Sequence, residues 1–215
     1  MTHTLHRRES DVIPEKDFVI LSMAAQKFND QGAGEKQREI FQMLLDLMPD
    51  NIADDNLGGI FTGETPETIL NHMGDKAYVG IAFTEEHKLR EALKRLKEAD
   101  LGISVVVSGN FERVFGVLKE VGLKPHTVNM SLGTFGKKKI LPKEEVLELT
   151  CMCGHGMVSA KHVNTVFRKV KAKRISAAEG AKDLARSCTC GVFNPKRAEK
   201  LIARQAEMEP SDDHR

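Results

Sequence analysis

Apolar and polar positions change their period several times along the chain. Asp17 to Met23 (DFVILSM) is a short, nearly unbroken apolar run, the pattern of a buried strand. Glu35 to Met48 places Ile40, Met43, Leu44 and Leu47 on one helical face, and Pro49 ends the pattern. Residues 57–63 (LGGIFTG) suit a short strand or a glycine-rich loop. Thr65 then precedes Pro66, which predicts a cap and first position for a short helix ending near Met73. Ala77 to Phe83 predicts a strand, and Thr84 is expected to cap a helix to about Ala99 with Leu89, Leu93 and Leu96 inward. Ile103 to Val107 is a β-branched strand. Asn110 caps a helix through Val121, ended by Gly122, and His126 to Leu132 predicts one more strand.

Strands alternating with helices predict a layered α/β domain over residues 16–135. Its sheet is expected to be either parallel or ferredoxin-like, because short elements at this spacing suit both. Residues 1–15 show no periodicity and are expected to be disordered. Gly133 to Leu141 is glycine-rich and then basic, and reads as a linker. A small helical module is expected over 142–206. Glu144 to Thr150 fits helix or strand, and helices follow from about Ser159 to Val170, from Ser176 to about Arg186, and from Pro195 to about Ala206 behind Asn194. Ser176 with Glu179 three residues on is a capping box. Residues 207–215 form a polar tail.

Overall charge is nearly balanced, but its distribution is not. Residues 151–206 hold twelve Lys and Arg against three Asp and Glu, while residues 1–150 hold nineteen against twenty-four. The cysteine-bearing part is therefore basic. The first fourteen residues lack the apolar stretch of a secretory signal, and no apolar run reaches a membrane span, so the expectation is a cytoplasmic protein with no membrane partner. Thiols stay reduced there, and four cysteines then point to metal or catalysis more than to disulfides.

All four fall into two copies of one pattern, Cys151-Met152-Cys153-Gly154 and Cys188-Thr189-Cys190-Gly191, each followed by a turn and a helix. Two thiols at i and i+2 can face one centre if the backbone between them bends. Gly154 and Gly191 permit such a bend and let backbone N–H groups approach sulfur or a bound cofactor. Helix N-termini and the surrounding cations favour thiolate over thiol. Cys151, Cys153, Cys188 and Cys190 are thus the expected metal ligands. The one-residue spacer departs from the usual zinc spacing of about two to four residues, which favours an iron–sulfur cluster such as 4Fe–4S over zinc. His155, between Gly154 and Gly156, is the candidate catalytic or proton-donating group. If Cys151 is not a ligand, His155 can take its place.

Met152-Cys153-Gly154-His155-Gly156 resembles the Met-Cys-Gly-His-Gly segment of proline racemases, and Arg186 to Gly191 is similar to the second thiol segment of that family. The resemblance covers only these few residues, in a chain much shorter than a two-lobed racemase. It implies a rival, metal-free mechanism in which Cys153 and Cys190 act as a proton-transfer pair.

Three further stretches suit a ligand as well as an ordinary turn. Ser108-Gly109-Asn110 lies at a strand-to-helix turn where amides can hold an anion, Lys124 to Thr127 carries His126, and Asn129 to Gly136 could line a pocket. The basic run Arg168 to Arg174 suits nucleic acid or a solvated helix end. Together these residues predict a metal-binding protein acting on or sensing a small anionic metabolite between its two parts, in one version an iron–sulfur-dependent enzyme. The alternative is a regulatory module with structural zinc that contacts nucleic acid or protein. The sequence carries no sign of oligomeric state.

Overall fold

In the computed structural model, which describes residues 7, 8, 13 and 16–208, the apolar run after Asp17 forms strand β1 (Phe18–Met23). An unbroken apolar strand needs cover on both faces, and β1 has it. Phe18 and Ile20 point into one core, Val19 and Leu21 into another. Helix α1 (Ala33–Leu45), strand β2 (Asn51–Asp54), the two-residue strand β3 (Gly58–Gly59), helix α2 (Pro66–His72), strand β4 (Tyr78–Phe83), helix α3 (Glu86–Ala99), strand β5 (Ser104–Ser108) and helix α4 (Phe111–Glu120) follow. Helices α5 (Glu144–Thr150), α6 (Ala160–Lys171), α7 (Ala177–Ala185) and α8 (Pro195–Glu207) complete the chain.

The five strands form one sheet in the order β3-β2-β4-β1-β5, and every pairing is antiparallel. The parallel alternative is therefore wrong. The helical crossovers do connect strands that run the same way, β1 to β2 through α1 and β4 to β5 through α3. In each case an antiparallel strand lies between the two, which is the split β-α-β arrangement. Periodicity could not separate these cases, because crossover lengths are alike in both.

Four predicted helix caps are present, at Thr65, Asn110, Ser176 and Asn194, and Ser159, read from the sequence only as a helix start, is a fifth. Thr65, Asn110, Ser159, Ser176 and Asn194 each accept a backbone N–H with the side chain, and Thr65 and Ser176 form full capping boxes. Thr84 does not cap α3. Glu85 takes that place, and the Thr84 amide donates to Asp50 at 2.5 Å. The predicted strand at 126–132 does not form. Those residues are exposed and irregular, with a cavity between them and β5. The short strand β2, without an apolar run to announce it, went unrecognised. No helix among the described residues is long and apolar enough to cross a membrane.

Helices α1 to α4 cover one face of the sheet, with Ile40, Phe41, Ile69, Leu89 and Val114 in its core. Helices α5 to α8 cover the other, where Leu149, Val163, Leu184 and Ile202 share a core with Val19, Leu21 and Tyr78. The C-terminal helices are thus a layer of the sheet, not a module with a core of its own. Cys153, Cys188 and Cys190 belong to that second core. Of the stretch 1–15, Arg7, Arg8 and Ile13 are described, and all three lie against the fold. Ile13 is buried beside α5–α8, and Arg7 reaches Asp17. The other residues of that stretch, and most of the polar tail, fall outside the described residues.

Candidate metal centre

The two copies of the cysteine pattern fold differently. After α5 the backbone keeps winding, with Cys151 N–H donating to the Leu147 carbonyl, Met152 to Leu149 and Cys153 to Thr150. Residues two apart on a helical turn point away from each other. Cys153 accordingly enters the core at 1% exposure, while Cys151 is half-buried and its thiol lies beside the Arg8 guanidinium. In the second copy Gly191 adopts a left-handed φ of 70°, the chain bends, and the sulfurs of Cys188 and Cys190 converge to 3.6 Å. The left-handed glycine of the first copy is Gly156, not Gly154.

Three of the four cysteines therefore meet. Cys188 contacts Cys190, and the Cys153 thiol lies against Cys188. His155 stands at the solvent side of the group, its Nδ1 3.7 Å from Cys190 Sγ. Backbone amides are aimed at each sulfur: those of His155 and Met157 at Cys153, of Phe193 at Cys188 and of Val192 at Cys190. The thiols share their protons unequally. Contact with Cys188 and burial push Cys153 well up, while the contact between Cys188 and Cys190 pulls Cys190 down. Cys188 is pushed up to about 11; its contact with Cys153 lowers it, but the contact with Cys190 and burial outweigh that. Three buried sulfurs this close cannot all ionise without a cation between them.

Small residues seat this group on the sheet. A Cβ on Gly80 of β4 would stand 2.0 Å from the Cys190 carbonyl, and one on Gly191 would stand 2.6 Å from both the Ala53 amide nitrogen and the Gly80 carbonyl. The second cysteine loop thus lies flush on β2 and β4. Gly80→Ala is expected to lift it and to cost about 1–3 kcal/mol, seen as a lower urea midpoint at unchanged slope. An unchanged midpoint would mean that the loop shifts freely.

A buried ion network holds the two loops side by side. Arg7 donates to the carbonyls of Met152 and Val192, one from each loop, and to both oxygens of Asp17 at 2.6 and 2.8 Å. Arg197 of α8 donates to Asp17 at 3.1 Å. The side chains of Arg7, Asp17 and Arg197 are 7%, 6% and 1% exposed. Burial by itself would raise the Asp17 carboxyl, but the two guanidinium charges outweigh it and hold the group below its ordinary value. Tyr78 is the other residue that sequence reasoning missed. Its buried hydroxyl has no hydrogen-bond partner among the described residues and lies in the field of Cys190 and Cys188. Two signals were legible: Asp17 opens an apolar strand, and Arg197 stands one helical turn before Leu201 on the apolar stripe of α8.

Among the described residues, no group of three or more His, Cys, Asp or Glu side chains is arranged so that it could hold a metal ion as it stands. No known family, no characterised protein and no solved structure matches the chain.

Proposed function

We propose that this is a metal-binding protein in which Cys153, Cys188 and Cys190 hold one ion with His155 as fourth ligand. In this reading Cys151 is not a ligand. The observation that carries it is the set of backbone amides aimed at three adjacent buried sulfurs. A thiol is a weak acceptor, whereas a metal-bound thiolate needs such donors. Spacing supports a single ion. Two thiolates on one tetrahedral ion with metal–sulfur bonds of ~2.3 Å stand about 3.8 Å apart, and a thiolate and an imidazole about 3.6 Å apart. The corresponding distances here are 3.6 Å and 3.7 Å. Thiolates spread over different irons of a cubane cluster stand farther apart, so zinc replaces the cluster as the first choice. The metal-free thiol pair gains no support, since Cys153 and Cys190 each contact Cys188, a thiol that the pair mechanism leaves without a role.

The ion's role in this reading is to fasten helices α5–α8, through two loops, to the face of the sheet that Gly80 leaves open. Anaerobic purification followed by metal analysis tests it. The expected product is colourless, with about one zinc per chain. A brown protein with acid-labile sulfide would restore the cluster, and a metal-free, fully folded protein would remove the metal altogether.

Tyr78 supplies an independent check. A buried hydroxyl without a partner costs about 1–3 kcal/mol. Tyr78→Phe is therefore expected to stabilise the metal-free protein by about 1 kcal/mol. The gain should shrink with zinc bound, because the hydroxyl dipole lies in the field of thiolates that zinc keeps ionised. Urea melts with and without chelator compare the two states. An equal gain in both would detach Tyr78 from the site.

A further inference from the structure

The three stretches that suited a ligand in the sequence come together at the open edge of the sheet. Among the described residues, strand β5 is paired on one side only, with β1. Beyond its free side lies a cavity of about 700 Å³, bounded by β5, α3, α4 and residues 123–131. That volume is in the range of small-molecule sites, ~300–1,000 Å³. The cavity follows α4 from Ser108-Gly109-Asn110 at its N-terminal end to Lys124-Pro125-His126 beyond its C-terminal end, roughly 15 Å for ten helical residues. Its long wall is apolar, built from Val105, Val107, Val114 and Leu118. Across from that wall, the apolar side chains of Val128 and Met130 are 48% and 61% exposed.

The charge is at the two ends and is not equivalent. At the N-terminal end of α4, Arg7 is buried, shares Asp17 with Arg197 and spends its remaining donors on backbone carbonyls, while Arg8 pairs with Glu144. At the other end, among the described residues, Lys97 donates to the carbonyls of Val121 and Gly122 and neither it nor Lys124 makes an ion pair. Exposed ammonium groups without a carboxylate partner among the described residues therefore sit at one end of an apolar channel, whereas the arginine charge at the other end is committed to buried bonds or an ion pair. We infer that this cavity binds an anionic amphiphile, a medium-length aliphatic carboxylate in its simplest form. The head group lies at Lys97 and Lys124 and the chain runs along β5. This narrows the expected small anionic ligand to an apolar-tailed one. It also moves that ligand from the junction of the two parts to the β5 edge, where no residue of α5–α8 lines the wall. The inference rests on the cavity alone and does not depend on the metal.

Calorimetric titration of the full-length protein with decanoate, and separately with decylammonium, both below their micelle concentrations, tests it. Decanoate is expected to bind at least about tenfold more tightly than decylammonium. Lys124→Glu, an exposed substitution, should weaken decanoate about tenfold and improve decylammonium, which corresponds to about 1.4 kcal/mol. Leu118→Trp, which fills the channel, should weaken both. Equal affinity for the two amphiphiles, indifference of decanoate to Lys124→Glu, or no binding of decanoate would each overturn the assignment.

Discussion

Cys188→Ser and Cys190→Ser are expected to strip the protein of metal, whereas Cys151→Ser keeps it. The two bent-loop sulfurs are 3.6 Å apart and Cys190 is also the neighbour of His155, so losing either leaves at most three ligands in a distorted set. Metal affinity should fall by more than about a hundredfold, since even loss of an outer hydrogen-bond partner costs ~10–100-fold. Cys153→Ser should behave in the same way. Cys151 has its thiol beside Arg8, so its serine variant should retain about one zinc per chain and the parent's thermal midpoint. Metal analysis of the four single variants, purified alike, reads the contrast. Four equivalent losses would mean that the N-terminal loop unwinds to present both of its thiols. Four equivalent retentions would mean that no thiol is a ligand.

Asp17→Ala should be the most damaging single substitution outside the cysteines. It removes the one carboxylate between two guanidinium groups that are 7% and 1% exposed, and uncompensated buried charge costs about 3–5 kcal/mol. Domains of this kind are stable by only ~5–15 kcal/mol, so much of the margin would go. The same group sets an acid limit. Its folded carboxyl is held below the ordinary value of 3.8, so its contribution is complete above the ordinary value and is lost as pH falls through the depressed one. Wild-type stability should fall away below about pH 4, and Asp17→Asn, which does not titrate, should be less stable at neutral pH and flatter in acid. Urea midpoints from neutral pH into acid check this. Parallel curves for the two proteins would remove Asp17 from the account of acid sensitivity.

What could be read from the sequence was local. Side chains at Thr65, Asn110, Ser159, Ser176 and Asn194 decide helix starts within three residues, and those starts are in place. The run Phe18–Leu21 announced burial on both faces, and both faces are covered. The sheet order was not readable, because an antiparallel strand slipped between two parallel ones leaves no mark on periodicity. The stretch 126–132 alternates like a strand, yet alternation only makes a pairing available. In the folded chain a cavity lies where the ladder would be. The cysteine repeat was visible, but its asymmetry was not. Two identical spacings diverge because one follows a helix that keeps winding and the other turns at Gly191. Arg7 lay in a stretch without any period, and its link to both cysteine loops spans more than 140 residues of chain.

X-ray absorption at the zinc edge of the purified protein tests the central claim most directly. The account predicts three sulfur neighbours at about 2.3 Å and one nitrogen at about 2.0–2.1 Å. Four sulfurs would bring Cys151 back into the site, and an edge spectrum without sulfur neighbours would contradict the metal reading of these loops.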